Sequence, residues 1–350
     1  MDSLTHAALG ACLGELVLSR KLGKRALLYG AVAQNLPDMD VVAALWLPTS
    51  ENLLVHRGFT HSFFFGLLLA VLLTLLASKW HRKGQVRWQQ FFLFFVVQLF
   101  AHDLLDTCNA YGTGLLEPFS HQRFSFHLLY VADPFFTIWP VAALIALLVL
   151  RNTLPVRNRW ALVGLLPAGL YLLYAVVNKS VIREGIEASL AKKQLPHTSL
   201  MVTPTPFNNW LWYAVAATDA GYYVGHRSVF SPDDYVTDFR FFPKNEKLLT
   251  SAVSPEEVQE LKRFAAGYYT AERWNDTLVF NVLRYGQILG WQNPYARFTF
   301  HYFLSPAGVD NTLVMQRGRV KGWSRETLQH MYRAIFGVRE ERHRAEPQAQ

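Results

Sequence analysis

Cysteine is nearly missing from this chain. Only Cys12 and Cys108 occur among 350 residues. That excludes a disulfide-stapled scaffold and a cysteine-rich zinc module. Both lie in the first half, so the second half holds no disulfide. Charge is scarce as well: charged residues make up 17%, against about 25% in an average soluble domain. The shortage is uneven, with 13 Lys/Arg and 9 Asp/Glu in residues 1–177 but 21 and 17 in residues 178–350. Disorder is excluded by 14% aromatic residues and by long apolar runs. The net charge of +8 does not point to nucleic acid, because many basic residues sit in short loops between apolar segments.

Six apolar segments fill the first half: Thr5–Ser19, Ala26–Leu47, Ser62–Ser78, Gln89–Asp106, Pro134–Leu150 and Trp160–Val177. A membrane-spanning helix needs roughly 20 mostly apolar residues, with a range of about 17–25. The third, fifth and sixth meet that standard best. The first is short and carries Glu15, and it lacks the basic start of a cleaved signal peptide. The second is broken at Asn35-Leu36-Pro37-Asp38, since proline interrupts a helix. These two therefore read as half-helices or re-entrant segments. The expected fold is a membrane all-α bundle of about six helical segments over residues 1–178. A connecting helix over 179–195, a small soluble α+β domain over 196–338 and a disordered tail over 339–350 follow.

The loops set an orientation. Those after segments one, three and five hold Arg20, Lys21, Lys24, Arg25, Lys79, Arg82, Lys83, Arg87, Arg151, Arg157 and Arg159, while the alternate loops hold Arg57 and Arg123. Eleven against two places the basic loops in the cytoplasm. The N-terminus, the two long loops and the C-terminal domain then face outward, on the periplasmic side in a two-membrane cell.

The scarce acids and histidines are gathered at that same outward end. They are His6, Asp38, Asp40, His56, His61, His102, Asp103, Asp106 and Asp133. Ionisable groups at membrane depth are costly and need partners, and a divalent transition metal accepts both imidazole and carboxylate. His102 and Asp106 are four residues apart, on one helix face. Asp38-Met39-Asp40 follows a helix-breaking proline, and His56 and His61 flank a glycine turn. Expected ligands are His6, Asp38, His56, His61, His102 and Asp106, around one or two ions. Zinc is the first choice, with manganese or iron as alternatives. Asp40 is a ligand or a base that orients water, and Asp103 and Asp133 are supporting groups or general acid/base. Arg123 reads equally as a clamp on a phosphate or as an interfacial arginine. A polar network tying helices together is the competing reading.

Several strings carry a resemblance. Asp2-Ser3-Leu4-Thr5-His6 with Gly10, Pro37-Asp38-Met39-Asp40, His56-Arg57-Gly58-Phe59-Thr60-His61-Ser62 and His102-Asp103-Leu104-Leu105-Asp106 followed by Tyr111-Gly112-Thr113 come first. Pro118-Phe119-Ser120, Arg123 and Ala132-Asp133-Pro134 add to them. Together they resemble the YdjM-like family of bacterial inner-membrane proteins, over roughly residues 1–180. The family is described as membrane-bound metal-dependent hydrolases, a label that itself rests on these motifs, and some members are described as regulators. The resemblance implies an integral membrane protein with a His/Asp metal site, more than it implies a reaction.

The second half reads as mixed structure. A helix leaves the membrane over residues 179–194, and Pro196 ends it. Trp210–Ala217 and Tyr222–Phe230 around Asp219-Ala220-Gly221 read as a β-hairpin. Ser254-Pro255-Glu256-Glu257 starts a helix that Gly267 stops. Thr277–Arg284 and Ala296–Leu304 alternate like strands, and Ser324–Phe336 reads as a last helix. The domain has no phosphate loop, nucleophile elbow or metal signature of its own. Trp210, Trp212, Tyr222 and Tyr223 read as core before they read as a binding face.

Two functions compete. One is a metal-dependent hydrolase at the outer membrane face, acting through metal-activated water on a lipid or lipid-linked phosphoester. The other is a non-enzymatic regulator or scaffold with a structural metal and a protein partner for the soluble domain. A transporter would place ionisable groups near the bilayer midplane, and here they gather at one face.

Overall fold

The computed structural model describes residues 1–81, 86–149, 153–252, 254–304, 312–315 and 323–345. The chain divides into two units, residues 1–46 with 54–175, and residues 47–53 with 176–350.

The first unit is helical. Helix α1 (Ser3–Leu22) starts on Asp2, whose carboxylate accepts the Thr5 amide, and stops at Gly23 with φ 57°. It extends the expected Thr5–Ser19 at both ends, starting at the Asp2 cap and stopping only at Gly23. Glu15 is fully buried and accepts two hydrogen bonds from Arg157, from Nε at 2.7 Å and from Nη2 at 2.5 Å. Helix α2 (Arg25–Asn35) is short, because Pro37 follows and the chain tightens into a 3₁₀ segment, Pro37–Leu45. A short helix α3 (Thr49–Val55) comes next, and its residues 49–53 belong to the second unit. Helix α4 (Phe63–Trp80) is capped by Ser62 Oγ, which accepts the Phe65 amide. Helix α5 (Trp88–Asp106) carries the last of the His/Asp strings, and α6 (Pro134–Val149) follows. Helix α7 (Leu154–Lys192) is 39 residues long, so the sixth apolar segment and the connecting helix are one continuous element.

Two of these helices, Phe63–Trp80 and Leu154–Lys192, are long and apolar enough to cross a membrane, and the apolar Pro134–Val149 is shorter. Helices α1 and α2 approach closely at glycines. A Cβ added to Gly30 would lie 1.9 Å from the Gly10 carbonyl oxygen. This pairing sets His6, four residues before Gly10, at the level of Gln34.

The second unit contains two four-stranded antiparallel sheets. The first has strands β1 (Ser199–Pro204), β2 (Leu211–Ala217), β3 (Gly221–Ser228) and β4 (Phe239–Pro243) in that order. The second has β5 (Tyr269–Trp274), β6 (Thr277–Gln287), β7 (Phe298–Leu304) and β8 (Thr312–Met315). Strand β2 is buried on both faces. Trp212, Ala214 and Ala216 pack on Ile182, Ile186 and Leu190 of α7. Tyr213 and Val215 pack on Leu283 and Phe298 of the second sheet. That is the period of two expected of a strand between two layers. Trp212 and Tyr222 are therefore core residues, 0% and 3% exposed.

Helix α8 (Pro255–Phe264) begins on Ser254 and packs Phe264 against Phe300 and Tyr285. Helix α9 is Arg325–Ala345, and residues 346–350 lie outside the described residues.

Candidate metal centre

Four donors converge at one end of the helical unit. Asp38 comes from the 3₁₀ segment, His61 from the loop before α4, and His102 and Asp106 from the last turns of α5. One ligand atom from each lies within 4.8 Å of all the others. His61 Nε2 is 3.3 Å from Asp38 Oδ1 and 3.5 Å from Asp106 Oδ2. His102 Nε2 is 3.9 Å from Asp38 Oδ1 and 3.7 Å from Asp106 Oδ2. An ion bound tetrahedrally at about 2.0–2.1 Å holds its ligand atoms about 3.4 Å apart. The spacing is therefore that of a coordination shell. Among the described residues, no other group of three or more His, Cys, Asp or Glu side chains comes this close.

The second nitrogen of each histidine is committed elsewhere. His102 Nδ1 donates to the Gln34 carbonyl oxygen at 2.6 Å, which leaves Nε2 as a lone-pair donor facing the cluster. His61 Nδ1 lies 3.0 Å from Thr60 Oγ1 and 3.4 Å from Asp40 Oδ2. Metal-binding histidines are held in this way by an outer carbonyl or carboxylate. His102 Nε2 is fully buried and makes no hydrogen bond, and Asp106 Oδ2, ion-paired with Arg57 Nε at 3.1 Å, accepts none either. Buried polar atoms without a hydrogen bond are rare, and here both point into the same space. The donor set therefore fits a divalent ion.

The electrostatics agree. Burial alone lowers the pKa of His61, but the carboxylates of Asp106, Asp38 and Asp40 outweigh it and raise the value to about 10. The carboxylates draw positive charge into the cluster, and a bound cation supplies it without the proton.

Around the four donors lies a supporting layer. His6 Nε2 sits 3.1 Å from Asp106 Oδ1, Nδ1 sits 3.3 Å from Gln34 Oε1, and the ring lies 4.0 Å from that of His102. The Met1 amino group also meets Asp106 Oδ1. Asp40 accepts from His56 Nδ1 at 2.8 Å, from the Arg57 amide at 2.8 Å and from Thr60 Oγ1 at 2.9 Å. It anchors the His56–His61 loop and stands outside the four-donor group. His56 meets Asp40 by Nδ1, its ring stands edge-on to that of His61 with centroids 6.2 Å apart, and its side chain is 28% exposed. Asp103 is buried beside α4, with Oδ2 at 3.7 Å from where a Cβ on Gly66 would lie.

Asp133 and Arg123 stand outside the four-donor group. Asp133 caps α6, accepting the amides of Phe135 and Phe136, and Tyr171 Oη donates to it at 3.1 Å. Burial raises its pKa to about 6 against those three donors. Arg123 donates to the backbone carbonyls of Gly112, Leu54 and His56, clamping the loops on either side of the site.

Arg57 was not anticipated in this role. It is 4% exposed, with Nε 3.1 Å from Asp106 Oδ2, Nη1 on Asn109 Oδ1 and Nη2 on the Met1 carbonyl. Its φ is 57°, a backbone conformation that non-glycine residues rarely adopt. The signal was its place between His56 and His61, where it had counted only as a loop charge. Gln34, just before the Pro37 break, carried no signal at all.

Comparison with known proteins adds the family. The family model described as YdjM inner membrane protein matches residues 1–182. The inner membrane protein YbcI of Escherichia coli (strain K12) is 37% identical over 124 residues, 35% of this chain and 69% of YbcI. The uncharacterized protein YfhP of Bacillus subtilis (strain 168) is 29% identical over 151 residues, 41% of this chain and 45% of YfhP. No solved structure matches the chain.

Proposed function

Since the chain belongs to the YdjM inner membrane protein family, we propose that it is a membrane-bound metal-dependent hydrolase. Its substrate class is a lipid or lipid-linked phosphoester, cut at the outer face of the inner membrane. The observation that carries this reading is the four-donor group itself. Asp38, His61, His102 and Asp106 stand at coordination spacing, with the outer nitrogen of each histidine already engaged. A zinc, manganese or iron ion held there would supply an activated water and polarise a phosphoryl oxygen.

The chain's own residues set the rest. Of the four donors, Asp38 has the exposed side chain, at 17%, so substrate approaches on its side. Asp40 holds His56 by Nδ1, which leaves the Nε2 lone pair of a partly exposed imidazole to take a proton from the attacking water. Arg57 balances the buried carboxylate of Asp106. The alternation of basic loops supports a multi-pass topology with the cluster facing outward.

The test is hydrolysis of a phospholipid phosphoester by metal-loaded protein in mixed micelles. Asp38→Asn should abolish turnover, and His56→Gln should lower it. Absence of turnover on lipid and soluble phosphoesters alike would overturn the reading. A reporter fused after residue 200 that proved cytoplasmic would overturn the orientation. One observation favours the alternative of a regulator or scaffold: four protein donors are enough to close a tetrahedral site. A protein partner for the second unit would then carry the function.

A further inference from the structure

The surface beside the cluster is apolar. The 3₁₀ segment Pro37–Leu45 commits its two carboxylates to the site, Asp38 to His61 and Asp40 to the His56–His61 loop. The side chains it exposes are Met39, Val41 and Leu45, followed by Trp46, at 60%, 61%, 81% and 67%. Residues 36–47 hold no other charge. The segment packs against the Phe59–His61 turn, so this apolar edge adjoins the cluster itself. Phe59 is exposed too, and its ring lies 6.3 Å from that of Phe64. Phe64 in turn meets Phe119 at 5.6 Å, and Phe119 is 80% exposed. A continuous apolar rim of this kind is unusual on a surface that faces water.

Phe64 joins the rim to α4. Phe64, Leu68, Leu72 and Leu76 recur every four residues on one helix face, and all four are exposed. Helix α4 is long and apolar enough to cross a bilayer, and the family is one of inner membrane proteins, so hydrocarbon meets that face. The rim continues it. The 18 residues of α4 span about 27 Å, close to the roughly 30 Å of a hydrocarbon core. The start of α4, and the rim with it, therefore falls near the boundary between acyl chains and headgroups, the depth where tryptophan gathers. The backbone there is provided for locally: the Met39 amide donates to the Leu36 carbonyl and the Trp46 amide to that of Ala43, as low-dielectric surroundings demand.

We propose that the rim of Met39, Val41, Leu45, Trp46, Phe59 and Phe119 is a membrane-insertion surface, sunk into the leaflet on the cluster's side, so that Asp38 opens onto lipid and not onto bulk water. Asp38 is the exposed donor of the cluster, and Met39 next to it is in the rim. For the hydrolase proposed above, on which this consequence rests, the substrate then moves sideways within the leaflet to reach the metal. A phosphoester anchored in the bilayer has that route, and a freely soluble one does not.

The test uses the full chain in phospholipid vesicles. The two native cysteines are buried, so a single introduced cysteine takes a bimane label. Met39→Cys, Leu45→Cys and Phe119→Cys report the rim. Leu72→Cys on the exposed face of α4 is the lipid reference, and Asp219→Cys, exposed in the turn between β2 and β3, is the water reference. Phosphatidylcholine brominated on its acyl chains near the headgroup should quench the three rim labels several-fold, as it does a lipid-facing label, while aqueous iodide quenches Asp219→Cys alone. Rim labels quenched by iodide and not by bromolipid would overturn the proposal. Rim labels shielded from both quenchers would also overturn it, since a protein partner would then cover the surface. A second arm reads substrate entry. Val41→Lys/Leu45→Lys should lower turnover of a vesicle phospholipid several-fold with bound metal unchanged, and equal turnover in the variant and wild type would contradict lateral entry. Bromolipid quenching in a protein that turns over no phosphoester would uphold the insertion surface and remove the hydrolase reading alone.

Discussion

The Glu15–Arg157 pair offers a quantitative test of how the helical unit is held. Both side chains are nearly inaccessible, 0% and 9% exposed, and the contact is bidentate. Arg157→Met leaves the Glu15 carboxylate buried without a partner. Breaking a buried ion pair in this way costs about 3–5 kcal/mol, whereas replacing both members with apolar groups is often neutral or stabilising. The double variant Glu15→Leu/Arg157→Met should therefore lie within about 1 kcal/mol of wild type. At about 2–4 °C per kcal/mol for a unit of 150–250 residues, Arg157→Met should melt roughly 6–20 °C lower and the double variant should recover most of that. Glu15→Leu alone should cost less, because the Arg157 stem can carry its charge outward. The assay is thermal unfolding of the full chain in one detergent, with bound metal measured alongside. Glu15 lies nine residues from His6 along α1, roughly 13 Å, so the double variant should keep its metal. A loss below about 1 kcal/mol in Arg157→Met, or a double variant as unstable as the single one, would refute the reasoning.

Three further outcomes are expected. Gly30→Ala forces a Cβ to 1.9 Å from the Gly10 carbonyl oxygen; it should cost about 1–3 kcal/mol or more by thermal unfolding, and weaken metal binding by shifting the Gln34 carbonyl that holds His102. Asp40→Asn loosens the His56–His61 loop without removing a donor of the cluster, and metal titration should show about 10–100-fold weaker binding. Burial lowers the pKa of His226 in β3 from 6.5 to about 4, so the unfolded chain takes up the proton first. The stabilisation is complete above about pH 6.5 and is lost as pH falls toward 4, up to about 3 kcal/mol at 1.36 kcal/mol per unit. Full-chain unfolding at pH 7 and pH 5 should show a smaller drop in His226→Leu than in wild type.

Much of the helical half was legible because its signals are local. Pro37 marks the end of α2, and the four-residue spacing of His102 and Asp106 places their donors 3.7 Å apart. Asp38 and Asp40 looked equivalent in sequence. In the 3₁₀ segment, with about three residues per turn, positions two apart point in different directions. Asp38 therefore meets His61 and His102, while Asp40 meets the loop amide of Arg57 and His56. Pairings across long stretches of chain left no trace: Arg157 and Glu15 are 142 residues apart, and Arg57 and Asn109 are 52 apart. In the second unit the β2–β3 hairpin and the Ser254 cap carried turn and cap signatures. Strands β1, β4 and β5 are short and were not anticipated. An example is Phe239–Pro243, largely exposed at the end of its sheet.

The central claim is that Asp38, His61, His102 and Asp106 hold a metal ion. Elemental analysis of detergent-purified wild type, His61→Ala and His102→Ala, prepared without chelators, tests it most directly. The account predicts one divalent transition-metal ion per chain in wild type, lost in both variants while each remains folded. Wild type without metal, or metal retained in both variants, would contradict it and leave the cluster as a polar network joining the helices.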